Sequence, residues 1–177
     1  MFAIERRPKP AHNEAQHKHS ARWGADMAKK QAADAPLLLE NQVCFAIYSA
    51  AHAFNRVYKP LLDRLGLTYP QYLVMLVLWE RDGVPVKDIG QRLFLDSGTL
   101  TPLLKRLEAA GLIERTRSAE DERKVMIALT SRGQALREKA KAVPHGVLAA
   151  AACSIGELSE MKDEIVALRD RLNAVGS

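Results

Sequence analysis

Cysteine is nearly missing from this chain: among 177 residues only Cys44 and Cys153 carry a thiol. Two thiols cannot build a disulfide scaffold, nor supply the ligands of a structural zinc site. No Cys-x-x-Cys pair occurs, so a dithiol oxidoreductase motif is excluded. No apolar run approaches the roughly 18–20 residues that spanning a bilayer needs. The N-terminus also lacks the apolar segment of a secretion signal. A soluble cytoplasmic protein with no membrane partner is therefore expected, its thiols starting reduced. Histidines are few and scattered. His52 and His145 do not fall at a catalytic or metal-ligand spacing in the sequence, and His12, His17 and His19 fall in a polar, solvated stretch. Neither a metal, a cofactor nor an enzymatic constellation is expected.

The length suits one compact domain with an arm, and 47% hydrophobic residues suffice for a core. The formal charge is +5, but the first 36 residues hold seven Lys/Arg against four Asp/Glu, leaving 19 against 17 in the other 141. Bulk charge is thus no argument for nucleic acid. Residues 1–36 show no periodicity and are expected to form a disordered or non-native arm. Met27 opens M-A-K-K-Q-A-A-D-A-P like a natural start, which would make residues 1–26 an upstream extension.

What is present is a run from Val86 to Thr130 that reads as helix, turn, helix and a two-stranded ribbon. Ile89, Leu93, Leu100, Leu103, Leu104 and Leu107 recur at three- and four-residue spacings, giving each short helix one apolar face. Ser97, following Asp96, is the expected N-cap of the second helix, and Gly111 its left-handed C-cap. Val125, Ile127 and Leu129 alternate at period two opposite Leu112–Thr116, with Ser118–Arg123 as the hairpin tip.

The second helix also carries short polar groups and cations: Ser97, Thr99, Thr101, Lys105 and Arg106, on a segment that includes Asp96 and Pro102. Hydroxyls and a guanidinium at base edges, with cations at phosphates, are what a helix in the DNA major groove requires. Arg123 at the ribbon tip is placed to reach a narrow minor groove. The segment Glu114–Lys124 balances four basic against four acidic residues, so a solvated hairpin tip is the competing reading.

These residues carry a family resemblance. D-S-G-T-L-T-P-L-L-K-R-L-E-x-x-G-L-I-x-R, followed by D-E-R-K-V, resembles the winged helix of the multiple antibiotic resistance regulator (MarR) family. Within it the chain is most similar to the organic hydroperoxide resistance regulator branch. The resemblance runs from about Leu38 to the C-terminus and is densest up to Leu129.

Elsewhere the periodicity predicts a long helix from about Leu38 to Arg64, bent or broken at Pro60. A nearly all-apolar core helix follows over Gln71–Glu80, with Pro70 at its first turn and Trp79 as a packed core aromatic. After Thr130 one helix should continue to Pro144. Another, capped by Ser154 and Glu157, should run to Asn173 with Ile155, Leu158, Met161, Ile165, Leu168 and Leu172 as its stripe. A winged unit of about 50 residues buries little by itself. Two copies packing their terminal helices would place two reading helices about one DNA turn apart. The expected fold is therefore mainly α, a winged helix-turn-helix with a small two- to three-stranded wing and terminal helices that dimerise. Residues 37–65 and 131–177 would form the dimerisation helices of a single 37–177 domain, and 68–130 the DNA-binding unit.

Cys44 sits among apolar neighbours and admits two readings. A cysteine there is commonly a small buried hydrophobe. Against that, a helix N-terminus lowers a thiol pKa, and Tyr48 and Tyr58 on the same helix could donate O–H bonds to a thiolate. Tyr48 is one turn away. Tyr58 is fourteen residues on, roughly 21 Å along the axis at 1.5 Å per residue. It could reach Cys44 only from a second copy.

The resemblance implies that Cys44 is a peroxide-reactive thiolate, held by Tyr48 and Tyr58 across a dimer interface. Phe45 and its apolar neighbours would then favour organic hydroperoxides. Cys153 resembles the resolving cysteine of two-cysteine members, an intersubunit disulfide standing beside a mixed disulfide or an inert thiol as the outcomes. The function implied is a repressor that binds operator DNA when reduced and lets go when Cys44 is oxidised. Its rivals are a ligand-released repressor of the same family and a thiol peroxidase.

Overall fold

The computed structural model describes residues 34–118, 121 and 123–175. The expected arm up to residue 33, with Met27 and its three histidines, lies outside the described residues, as do positions 119, 120 and 122 of the hairpin tip. The chain divides into two compact units, Met1–Ala51 and His52–Ser177, with the boundary inside helix α1 (Val43–Asp63).

In the first unit two 3-10 turns, Ala35–Leu37 and Leu39–Asn41, precede α1. The long helix expected from Leu38 thus starts five residues late. The reason is local. Leu38 and Gln42 are both extended. Side-chain amides then take carbonyls that a helix would otherwise use: Asn41 Nδ2 donates to Ala35 O at 2.8 Å, and Gln42 Nε2 donates to Pro36 O. At the other end α1 does not break at Pro60. It continues to Asp63, with the Lys59–Asp63 pair at 2.9 Å bridging the turn that contains the proline.

In the second unit α2 (Tyr69–Glu80) is the central core helix the composition predicts. Val74, Met75 and Leu78 are at most 1% exposed. Its start is fixed by Gln71 Oε1, which accepts from Thr68 N at 2.8 Å and Thr68 Oγ1 at 3.1 Å. Strand β1 (Val84–Pro85), helix α3 (Val86–Leu93), helix α4 (Ser97–Ala109) and strands β2 (Ile113–Arg117) and β3 (Val125–Leu129) follow. The sheet order is β1-β3-β2, antiparallel throughout, with Val84 opposite Ile127 and Ile113 opposite Leu129. Ile89, Leu100, Leu107, Ile113 and Ile127 close over α2 to complete the core.

The C-terminal part corrects one expectation. Instead of a single helix to Pro144, α5 (Ser131–Ala140) ends early and α6 (Ala142–Ala151) begins before the proline. Pro144 sits in the first turn of α6, where a missing N–H removes no helical bond. Val143 and Val147 anchor α6 in the core. Helix α7 (Ile155–Val175) opens with the expected capping box: Ser154 N donates to Glu157 Oε2 at 2.8 Å, and Glu157 N to Ser154 Oγ at 3.2 Å. Its stripe residues Ile155, Met161, Ile165 and Leu172 are exposed. No described helix is long and apolar enough to cross a membrane.

Candidate nucleic-acid interface and thiol segment

The turn between α3 and α4 is built on close backbone approach. Leu95 N donates to Gly90 O at 2.9 Å, and a Cβ on Gly90 would stand 2.9 Å from Leu95 O. Phe94 supplies the reversal in the left-handed region, at φ 54°. Its exposed ring lies under the Arg169 guanidinium, 4.6 Å from the ring centre.

Asp96, not Ser97, caps α4. Its Oδ1 accepts from Thr99 N at 2.8 Å and its Oδ2 from Thr99 Oγ1 at 3.1 Å. A carboxylate reaches both donors and faces the positive helix end, which a serine hydroxyl cannot match. Those bonds from Thr99 hold the Asp96 carboxyl below the usual range. Ser97 becomes the first residue of the helix proper.

Leu100, Leu103, Leu104 and Leu107 turn inward. At 100° per residue the opposite face is centred on Gly98, Pro102 and Lys105, with Arg106 beside them, and all four are exposed. Ser97 and Thr99 flank this face, and Thr101 is half-buried. Thr99 is the weakest of the sequence-derived candidates for reading bases, because its hydroxyl is committed to Asp96. Lys105 and Arg106 have no ion pair among the described residues.

At the hairpin tip Asp121 organises the turn. Its Oδ1 accepts from Arg123 N at 3.1 Å, and Lys124 N donates to Asp121 O at 2.8 Å. The Arg123 side chain is 95% exposed, its Nε 3.5 Å from Asp121.

Cys44 is the second residue of α1, where backbone N–H groups lack helical acceptors. It is exposed rather than a buried hydrophobe, with Sγ 3.9 Å from Gln42 Oε1. Phe45 and Tyr48 stack beside it, centroids 6.5 Å apart.

Tyr58 belongs to the second unit. It forms an aromatic cluster with Tyr69 (4.6 Å) and Tyr72 (6.1 Å). Burial, then the neighbouring phenols, push the Tyr58 hydroxyl up to about 12. Tyr69 and Tyr72 are raised by burial too. A cavity of about 300 Å³ opens here, lined by Asn55, Tyr58, Lys59, Thr68 and Tyr69. Sequence reasoning passed over Tyr69 and Tyr72; the signal was two further phenols clustered around the Pro70 helix start.

Cys153 is half-buried in the joint between α6 and α7. It follows Ala152, which is left-handed at φ 52°, and its Sγ donates to Ala151 O at 3.2 Å. Among the described residues no three His, Cys, Asp or Glu side chains could hold a metal ion together.

A helix-turn-helix with an outward polar face and an antiparallel wing defines the class: winged-helix DNA-binding regulators. The family model described as transcriptional regulator SarA/Rot matches residues 56–140. The chain is 53% identical over 141 residues to the HTH-type transcriptional regulator TtmR of Methylorubrum extorquens (strain PA1), covering 80% of this chain and 72% of that protein. It is 49% identical over 135 residues to the organic hydroperoxide resistance transcriptional regulator of Bacillus subtilis (strain 168), covering 76% and 92%. Among solved structures, reduced AbfR bound to DNA superimposes with a TM-score of 0.67 at 37% identity, covering 78% of this chain and 95% of that one. Disulfide-formed AbfR gives 0.55 at 36%, covering 81% and 98%. The chain belongs to the organic hydroperoxide resistance regulators, the branch of the MarR family that the motif in α4 and the wing resembles. It is a family of transcriptional regulators, not of enzymes.

Proposed function

We propose that this chain is a redox-sensing repressor that binds double-stranded operator DNA as a homodimer while Cys44 is reduced, and releases it when an organic hydroperoxide oxidises Cys44. The observation that carries the reading is the placement of Cys44: an exposed thiol in the first turn of α1, beside Phe45 and Tyr48. The thiolate attacks the outer peroxide oxygen and the O–O bond breaks. Cys44 becomes a sulfenic acid, and the alkoxide leaves as the alcohol after taking a proton. A protonated phenol is a suitable hydrogen-bond donor to the sulfur or the leaving oxygen, and Tyr58 supplies one. It stands fourteen residues after Cys44 in the sequence. In this reading Tyr58 of a second copy completes the site.

The homodimer is supported by apolar side chains that remain exposed along α1 and α7: Val43 and Ile47 in the first unit, and Ile155, Met161, Ile165 and Leu172 in the second. Fully burying such a side chain stabilises by about 1.5–3 kcal/mol, and covering the exposed part of each would contribute a corresponding fraction. Residues 37–65 and 131–177 would form this dimerisation region, and 68–130 the DNA-binding unit. Asp96, Ser97, Thr99, Thr101, Pro102, Lys105 and Arg106 would meet the major groove and Arg123 the minor groove. Cys153 is the resolving thiol. It condenses with the sulfenic acid of Cys44 in a second copy, forming the S–S bond and losing water.

The test is operator binding by fluorescence anisotropy, before and after one equivalent of cumene hydroperoxide. Wild type should bind and then release, whereas Cys44→Ser should bind and stay bound. Peroxide-driven release of the serine variant would overturn the reading.

A further inference from the structure

The Trp79 side chain, expected as a packed core aromatic, is half-buried and joins two sets of contacts. On one side its ring meets buried Tyr72 edge-on, with centroids 6.2 Å apart and planes at 67°. Tyr72 in turn contacts Tyr58 at 6.1 Å, and Tyr58 contacts Tyr69 at 4.6 Å. On the other side the indole Nε1 donates to Gly133 O at 3.0 Å, 54 residues away in sequence.

Gly133 lies at a joint where the end of α4, the end of β3 and the start of α5 meet. Gly133 N donates to Thr130 Oγ1 at 3.0 Å, and Thr130 Oγ1 donates to Gly111 O at 2.7 Å. Thr130 N donates to Leu112 O at 3.1 Å. A Cβ on Gly133 would stand 2.0 Å from Leu112 O, so two backbones touch directly there. A displacement of α5 relative to Leu112 therefore disturbs the C-terminal end of the DNA-reading helix. Packed interiors of this kind transmit displacement rather than absorb it.

We propose that Trp79 is a positioning residue that couples the Tyr58–Tyr69–Tyr72 cluster to this joint, and through it to the orientation of α4. The inference rests on the redox reading given above, in which Tyr58, a member of this cluster, completes the thiol site of a second copy. The hydrogen bond and the ring contact described for Trp79 go to Gly133 and Tyr72, not to the polar face of α4. Its role is to make the joint respond when the cluster rearranges around oxidised sulfur. The two parts of Trp79 have separate tasks: the ring senses Tyr72, and the N–H holds the Gly133 carbonyl.

Trp79→Phe separates those tasks, keeping a ring against Tyr72 and deleting the donor. The reduced variant should bind operator within about twofold of wild type, and its Cys44 should oxidise at about the wild-type rate. The loss of affinity on oxidation should shrink by about tenfold, the size of a typical coupling between sites. Wild type is measured in parallel. If wild type stays bound after Cys44 oxidation, the redox reading itself fails. If wild type releases and Trp79→Phe releases to the same extent, the role of Trp79 alone fails. A reduced variant that has already lost operator affinity also overturns it, because Trp79 would then only support the fold.

Fluorescence gives an independent readout, since Trp23 and Trp79 are the only tryptophans. In a Trp23→Phe background, Trp79 emission should shift on peroxide addition, and the shift should vanish when Cys44→Ser is added. Unchanged emission in protein that releases DNA would overturn the proposal.

Discussion

Tyr58, near the C-terminal end of α1, and Tyr69, the first residue of α2, hold their ring centres 4.6 Å apart across the turn that joins the two helices. Each phenol excludes water from the other, and burial is the main reason both resist ionisation. A protonated phenol can give a hydrogen bond; a phenolate cannot.

Tyr58→Phe should therefore slow Cys44 oxidation while leaving operator affinity nearly intact, read by stopped-flow loss of free thiol and by anisotropy. A wild-type rate would remove Tyr58 from the site. The pH dependence has a definite sign. With a folded value near 12, the proton held by Tyr58 stabilises the fold fully below about pH 10, and this contribution is lost as pH rises through about 12. Alkaline melts of Tyr58→Phe should be flatter across that window.

Arg123→Ala should weaken operator binding by about 1–3 kcal/mol if the side chain enters the minor groove. Its 95% exposure means that thermal stability should not change. Salt titrations should show a slope smaller by about one counterion.

Asp96→Ala removes the acceptor for both Thr99 donors and should lower Tm, whereas Asp96→Asn, a competent cap, should lower it less. The carboxyl is held below its ordinary range, so its contribution is present above roughly pH 4 and lost as pH falls through the depressed value. Acid melts of Asp96→Asn should lack that component.

Cys153→Ser should abolish a covalent dimer on nonreducing gels after alkyl peroxide treatment, a band that wild type should give. A wild type that yields no such band would leave Cys153 without its proposed role. DNA binding by the reduced variant should be unchanged.

The legible parts of the chain were those governed by local pattern. The leucines at 100, 103, 104 and 107 fix which side of α4 faces inward, and so which side is left for DNA. The run from Tyr72 to Leu78 could only be a core helix. Illegible parts depended on competition or on distant partners. Asp96 and Ser97 are both good caps, and only the achieved geometry selects the carboxylate. Asn41 and Gln42 delay α1 by bonding to carbonyls six residues back, which no helical periodicity reveals. Pro144 looks like a helix stop in the sequence, yet it stands in the first turn of α6, which tolerates a proline. Tyr69 and Tyr72 join Tyr58 only once the chain has reversed at Gly66, whose φ is 69°.

The exposure of Cys44 in a single chain has a consequence for how such a sensor behaves at low abundance. In the proposed dimer it is the neighbouring copy that shelters the sulfur and limits which oxidants reach it. Selectivity then belongs to the assembled pair. As the protein is diluted below the dissociation constant of the dimer, solitary subunits should lose their preference for organic over inorganic oxidants and drift toward irreversible sulfonate.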